Sequence, residues 1–303
     1  MEQPKVYGEF EELKELSYNA RMAGVVTLYH PDVSEVVANI LRYLPWLDLL
    51  IVWDNSPLEE RNIDNILPLL GDDAAKVVWQ GDGRNHMIAD AVNFAWKYAG
   101  QNGYELLLIM DQDSRWEDFA AFRRQVEMCV QDNPRRVYCP YVTGNDTFEI
   151  EKEVQERRTF INSGTVIPVS ILSTIGGVDE NFPLDALDYD MAHRILAAGY
   201  SIVCLTQHRL YHVIGRLQRM GQFDVLTSNY SAERTYSIAR SHMLYLRKHW
   251  HTLTTREKWY IIKEHYIKMP LRILLADPEK RVRMKQFFKG MHDGMTCKNS
   301  KII

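Results

Sequence analysis

Residues Leu106-Leu107-Leu108-Ile109-Met110-Asp111-Gln112-Asp113 end an apolar run with two carboxylates separated by one residue. The run has the composition of a buried strand, so both acids are delivered to a sheet edge, where the pleat breaks into a loop. Adjacent carboxylates repel. A hard divalent cation removes that cost and is itself held by the phosphates of a bound ligand. Asp111 and Asp113 are therefore expected to hold Mg²⁺ or Mn²⁺. A second acidic group, Asp185-Ala186-Leu187-Asp188-Tyr189-Asp190, opens a helical stretch. Acids there either stabilise the positive helix end or supply a general base that takes a proton from an attacking hydroxyl. His212, in Tyr211-His212-Val213-Ile214-Gly215, is placed either to complete a metal shell or as a structural histidine.

The elements that must position these groups follow from periodicity. Ala23–Tyr29, Leu49–Trp53, Lys76–Gln80, Glu105–Met110 and Val137–Pro140 read as buried strands. Val33–Leu44, the region around Ile63–Leu70, Met87–Tyr98 and Phe119–Gln131 carry helical spacing between them. Such alternation implies βαβ crossovers, a mostly parallel sheet and ligand binding at the carboxyl ends of its strands. The residues just after the strands are polar: Tyr29-His30-Pro31-Asp32, Asp54-Asn55-Ser56, Gly81-Asp82-Gly83-Arg84-Asn85 and Asp111-Gln112-Asp113-Ser114. Singly these are ordinary turn and cap residues; together they point to one crevice. Beyond Pro140, Arg158–Asn162 and Thr165–Pro168 read as short strands around Ser163-Gly164, Leu187–Ala198 as a helix, and Ser201–Thr206 as a strand. Ala232–His249, Thr255–Leu275 and Lys280–Met291 read as helices, with Pro270 and Pro278 as kinks or breaks.

Composition narrows the class. The chain has 303 residues, 46% hydrophobic, enough for an ordinary core. Cys129, Cys139, Cys204 and Cys297 lack CxxC spacing, which speaks against a zinc ribbon or dithiol redox pair and for reduced thiols. Met1–Ala20 lacks the apolar core of a secretory signal, and no stretch reaches the length of a membrane span, so a cytoplasmic location is expected. The net charge of -4 hides an asymmetry: residues 234–303 hold 16 Lys/Arg against 5 Asp/Glu. That basic region has several physical uses: a solvated helix face, a contact with an anionic membrane or a phosphorylated substrate, packing on the catalytic domain, or dimerisation. Nucleic acid is not expected, because no reading motif accompanies the charge.

In their order and spacing these motifs resemble the inverting family 2 glycosyltransferases of the A-type fold, and within them the bacterial rhamnosyltransferases. The resemblance runs through Val25-Val26-Thr27-Leu28-Tyr29-His30-Pro31-Asp32, Asp54-Asn55-Ser56, Asn85 with Ala89 and Asn93, Asp111-Gln112-Asp113-Ser114, Ser163-Gly164 and Gly177-Val178-Asp179-Glu180. It continues through Asp185, Asp188, Arg194, Gly199-Tyr200, His212, Gly215 and Ser231-Ala232-Glu233-Arg234, and covers residues 22–241. It implies a Rossmann-like α/β fold with a mostly parallel central sheet and a C-terminal helical extension. The implied divisions are 1–20 as an N-terminal extension, 21–230 as the catalytic domain and 231–303 as a basic helical region.

The resemblance also implies roles. Thr27 and Tyr29 line the nucleotide pocket, Asp54 hydrogen-bonds the base, and Asn85 lies near ribose or base. Asp111 faces ribose and metal, Asp113 is the principal metal ligand, His212 approaches metal or diphosphate, and Asp188 is the catalytic base. The donor implied is a nucleotide-diphospho-sugar, L-rhamnose on dTDP or else a UDP-hexose, and the acceptor a glycan or lipid-linked sugar in cell-surface polysaccharide synthesis. Three positions depart from the pattern: Leu187 stands for a Glu, Ala232 for a Pro, and Met87 for a Gly. Two rival classes share features with the chain. Aspartate-nucleophile phosphatases carry a strand-DxD string, but on their first strand. A non-catalytic carbohydrate-binding or assembly protein would not need Asp111, Asp113 and Asp188 together.

Overall fold

The computed structural model describes residues 20–60, 62–144, 148–212, 218–221 and 224–297. Its main sheet has the order β3-β2-β1-β4-β8-β6-β9-β5, with β7 added on β9. The strands are β1 (Met22–Leu28), β2 (Leu49–Asp54), β3 (Val77–Gln80), β4 (Leu106–Asp111), β5 (Arg115–Trp116), β6 (Arg136–Thr143), β7 (Val154–Arg157), β8 (Val166–Pro168) and β9 (Ser201–Tyr211); β10 (Gln218–Met220) and β11 (Val225–Thr227) form a separate hairpin. β1 to β4 pair in parallel, β8 runs antiparallel to β4 and β6, and β6 and β9 are again parallel.

Burial on both faces explains the apolar runs. Along β4, Leu107 and Ile109 enter one core cluster while Leu106, Leu108 and Met110 enter the other. A strand buried on both sides has no polar face to alternate, which is why it reads as continuous hydrophobe. The crossover helices are α1 (Val33–Ile40), α2 (Ile63–Ile66), α3 (Met87–Gln101) and α4 (Phe119–Asp132), followed by α5 (Val169–Ile175) and α6 (Leu187–Ala197). Asp32 and Asp118 cap α1 and α4 by accepting from the N–H groups of Glu35 and Ala121.

The chain continues through α7 (Ala232–His249), α8 (Thr255–Ile261), α9 (Met269–Leu275) and α10 (Lys280–Thr296). A π-helical segment, Ile262–Lys268, joins α8 to α9, so the stretch expected as one helix is one rod with a widened middle. Pro270, expected as a kink or break, sits inside the rod directly after the π-helical segment. Leu244, Tyr245, Leu246, Leu253 and Ile261 belong to the same core cluster as the sheet. One face of the basic helices is thus buried on the α/β body.

The second half departs most from expectation. No strand forms at 158–162; the pairing segment is Val154–Arg157, set antiparallel on β9, and residues 158–162 lead into the Ser163-Gly164 turn instead. The last main strand runs on to Tyr211 because its far end pairs with Tyr141–Thr143 of β6 on one side and with Arg115 and Trp116 on the other.

Candidate active site

Register alone brings the strand tips together. Thr27 of β1 lies opposite Asp111 of β4 and Trp53 of β2, and Leu28 lies opposite Asp54. At Gln112 the side chain turns back and closes a two-bond clasp with the Tyr29 backbone, accepting from its N–H at 2.8 Å and donating to its carbonyl at 3.0 Å. Asn39 of α1 donates to the Gln112 carbonyl at 3.0 Å. The middle residue of the acidic string is therefore a brace. Asn39 escapes sequence reading, since a single polar residue on an amphipathic helix carries no signal.

Behind the string a buried hydroxyl chain fixes its angle. The Asp111 N–H donates to Ser163 Oγ, Ser163 Oγ donates to Ser114 Oγ at 2.6 Å, and Ser114 Oγ lies 2.9 Å from His212 Nδ1. Gly164 makes this approach possible. Its φ is +81°, and a Cβ there would lie 2.8 Å from Leu210 and 2.9 Å from Pro140. Ser163-Gly164 is thus the turn that seats β4 against the histidine.

Asp111, Asp113 and His212 offer one ligand atom each, all within 4.8 Å of one another. His212 Nδ1 is 3.2 Å from Asp113 Oδ1, and Nε2 is 3.8 Å from Asp111 Oδ2. Burial pushes the Asp111 carboxyl up to about 6, with His212 opposing and Asp113 adding to the rise. Burial works against protonation of His212, but the Asp113 hydrogen bond and the charges of Asp111 and Asp113 outweigh it and hold its pKa above the ordinary value. Asp111 is thus raised chiefly by burial, and His212 by its two carboxylate neighbours. Two carboxylates and an imidazole fit Mg²⁺ or Mn²⁺, whose remaining positions phosphate oxygens or water would fill. The Val213-Ile214-Gly215 part of the histidine motif lies outside the described residues.

The second acidic group is sorted into three separate environments. Asp190 is buried in an ion cluster with Arg194 Nε, Lys248 Nζ and His249 Nε2 at 2.7 to 2.8 Å, joining α6 to α7. Burial alone would raise its pKa, yet these three partners hold it well below the carboxylate range. Asp185 pairs with Arg234 Nη2 at 2.9 Å, which gives the Ser231–Arg234 segment its place in the site. Asp188, in the first turn of α6, lines a cleft of about 530 Å³ together with Asp111 and His212. Burial pushes its carboxyl up to about 6; its own and the Tyr189 backbone N–H oppose this, and Asp185 and Asp111 add to it. The opposite wall is Arg234 and His242 of α7 with Tyr260, Glu264, His265 and Arg272 of the rod. A π-helical turn supplies Glu264 and His265, in keeping with the habit of such turns to occur at functional sites.

The nucleotide-side residues are placed less uniformly. Thr27 is half-buried and Tyr29 is exposed on the same rim. Asp54 is buried, with Oδ1 accepting from the Ser56 N–H and Oδ2 lacking a partner. Asn85 is exposed in the β3–α3 loop, where its Oδ1 accepts from the Met87 N–H. Met87, the position where glycine was expected, has a φ of +60°. The backbone has kept the left-handed bend while the residue best suited to it has changed.

The architecture is the A-type glycosyltransferase fold. No family model matches the chain. The dTDP-rhamnosyl transferase RfbF of Shigella flexneri is 24% identical over 249 residues, covering 76% of this chain and 81% of its own. Among solved structures, GalNAc-T7 with UDP, GalNAc and Mn²⁺ superposes with a TM-score of 0.58 at 10% identity over 93% of this chain, which spans 59% of that one. The mannosyltransferase of Pyrobaculum calidifontis with GDP-Man and Mn²⁺ gives a TM-score of 0.58 at 13% identity, over 94% of this chain and 78% of that one.

Proposed function

We propose that the protein transfers a sugar by single displacement, with inversion, from a nucleotide-diphospho-sugar to a hydroxyl of a glycan or lipid-linked acceptor. The observation that carries this reading is convergence. Asp111, Asp188 and His212 are far apart in sequence, yet line one cleft. Asp188 accepts the proton of the acceptor hydroxyl as its oxygen attacks the anomeric carbon, and the bond to the diphosphate breaks with its electron pair leaving on the phosphate oxygen. A carboxyl of pKa about 6 is ionised at neutral pH yet more basic than an exposed aspartate, which suits it to that proton. Asp111, Asp113 and His212 would hold a divalent cation, which when bound neutralises charge on the departing diphosphate. Ser114 and Ser163 keep the His212 ring turned for that purpose, a supporting role common among metal-binding histidines.

In this reading Thr27 and Tyr29 line the nucleotide pocket, Asp54 hydrogen-bonds the base, and Asn85 lies near ribose or base. Likeness to the Shigella rhamnosyl transferase favours dTDP-L-rhamnose as donor, with UDP-hexoses as the alternative. The setting is cytoplasmic, with peripheral contact at the inner face of the membrane. The test is calorimetry of dTDP and of dTDP-L-rhamnose with and without Mn²⁺, followed by donor turnover. Tight binding that requires Mn²⁺ and is lost in Asp113→Ala is expected; binding indifferent to metal and to Asp113 would refute the assignment.

A further inference from the structure

The rod from Thr255 to Leu275 has two working faces. One lines the cleft through Tyr260, Glu264, His265 and Arg272. The other points to solvent and is unusually apolar. Trp259, Ile267, Leu271, Leu274 and Leu275 are 59%, 41%, 49%, 50% and 42% exposed. Their spacing, with exposed Lys263 between Trp259 and Ile267, follows the helix turn by turn on a single stripe. Ile261, by contrast, is buried, and the Tyr266 hydroxyl donates to the Ala239 carbonyl, so the tertiary fold separates core residues from surface ones within the same apolar sequence. A run of large exposed hydrophobes marks a surface that something covers.

Charge says what covers it. Glu264 is the sole acidic residue between 258 and 276, and it is turned into the cleft, tied to Lys268. The outward stripe therefore has no acid; exposed Arg256 and Lys263 lie along it, and just beyond its end exposed Lys280 and Arg281 outnumber exposed Glu279. An aromatic and leucine-rich stripe edged with Lys and Arg fits the boundary of an anionic bilayer, with rings and leucines at the acyl edge and cations among headgroups. No helix among the described residues is long and apolar enough to cross a membrane, so this contact would lie in the plane of the surface.

We propose that the outer face of this rod docks on an anionic phospholipid bilayer, setting the mouth of the cleft at the lipid surface. A lipid-anchored acceptor then reaches Asp188 along the helix that holds the protein to the membrane. This consequence for the acceptor rests on the sugar-transfer reading; the bilayer contact itself does not.

The full chain is sedimented with vesicles of phosphatidylcholine alone and of phosphatidylcholine with phosphatidylglycerol, at low and high NaCl. The wild type pellets with anionic vesicles, several-fold less at high salt, and weakly with neutral ones. Trp259→Ser, Leu271→Ser and Leu274→Ser combined lower partitioning at least tenfold, while the circular dichroism spectrum and Mn²⁺-dependent dTDP binding stay unchanged; Lys263→Glu lowers it several-fold. Failure of the wild type to pellet, or a triple variant that pellets like it, overturns the proposal. So does a wild-type dimer that the triple variant converts to monomer without loss of vesicle binding, since the stripe would then cover a second copy. Vesicle binding without any Mn²⁺-dependent nucleotide binding leaves the docking face standing and refutes sugar transfer instead.

Discussion

Replacing Asp188 by Asn tests the base directly, because activity and stability should move in opposite directions. The wild-type carboxyl is pushed from 3.8 to about 6, chiefly by burial. A rise of about two pKa units corresponds to roughly 3 kcal/mol of strain when the group is ionised, at about 1.4 kcal/mol per unit. Asp188 borders an open cleft, so solvent screening reduces this to about 1–2 kcal/mol. The sign follows from proton counts. Between pH 3.8 and about 6 the native state keeps a proton that the unfolded chain has released, so native stability falls as pH rises through that window and is level above it. Asn carries no charge at any pH. Asp188→Asn should therefore melt about 2–4 °C higher than wild type at pH 8 and match it near pH 3.5, read by scanning fluorimetry at both pH values. Its turnover should fall by about 10²–10⁴-fold with donor binding unchanged. At saturating Mn²⁺, which would hold Asp111 and His212 deprotonated and offset the Asp111 charge, kcat/KM of the wild type should rise with pH as Asp188 ionises, through an apparent pKa no higher than about 6. The variant's residual activity should lack that limb. A lower melting temperature at pH 8, or turnover within tenfold of wild type, would refute the reasoning.

Other perturbations give independent readings. Asp113→Ala should abolish Mn²⁺-dependent nucleotide binding by calorimetry without lowering the melting temperature, since its side chain is about half exposed. Met87→Gly should raise the melting temperature by about 2 °C: relief of a left-handed methionine, worth about 1–3 kcal/mol, exceeds the roughly 0.5–1 kcal/mol entropic cost of glycine; a fall would show that the side chain earns its strain by packing. Lys248→Met should destabilise by about 3–5 kcal/mol in urea unfolding, because it leaves Asp179 and Asp190 short of a buried cation. A change below about 1 kcal/mol would assign the cluster to Arg194 and His249 alone.

The first half of the fold is legible in the sequence because each strand there is buried on both faces and each crossover helix has an apolar stripe. Periodicity then reports burial, and burial reports the element. The second half is less legible. β5, β7 and the extension of β9 are held by pairing partners distant in sequence, and short strands whose stability comes from a neighbour carry little pattern of their own. The departure at position 87 is explained the same way: the sequence shows a missing glycine, and only the backbone shows that the bend remains.

Within the site, the sequence by itself determined which groups are available: a strand ending in Asp111 and Asp113, an acidic helix start and a late histidine. Chemistry confines such groups to a few uses, so their identities carry the reaction class. Tertiary structure decided how three neighbouring aspartates are partnered: Asp190 is held by Arg194, Lys248 and His249, Asp185 is taken by Arg234, and Asp188 faces the cleft. It also decided that the basic helices form the far wall of that cleft. Those outcomes depend on long-range packing of α6, α7 and the rod, and charge partners brought together by packing leave no local trace in the chain.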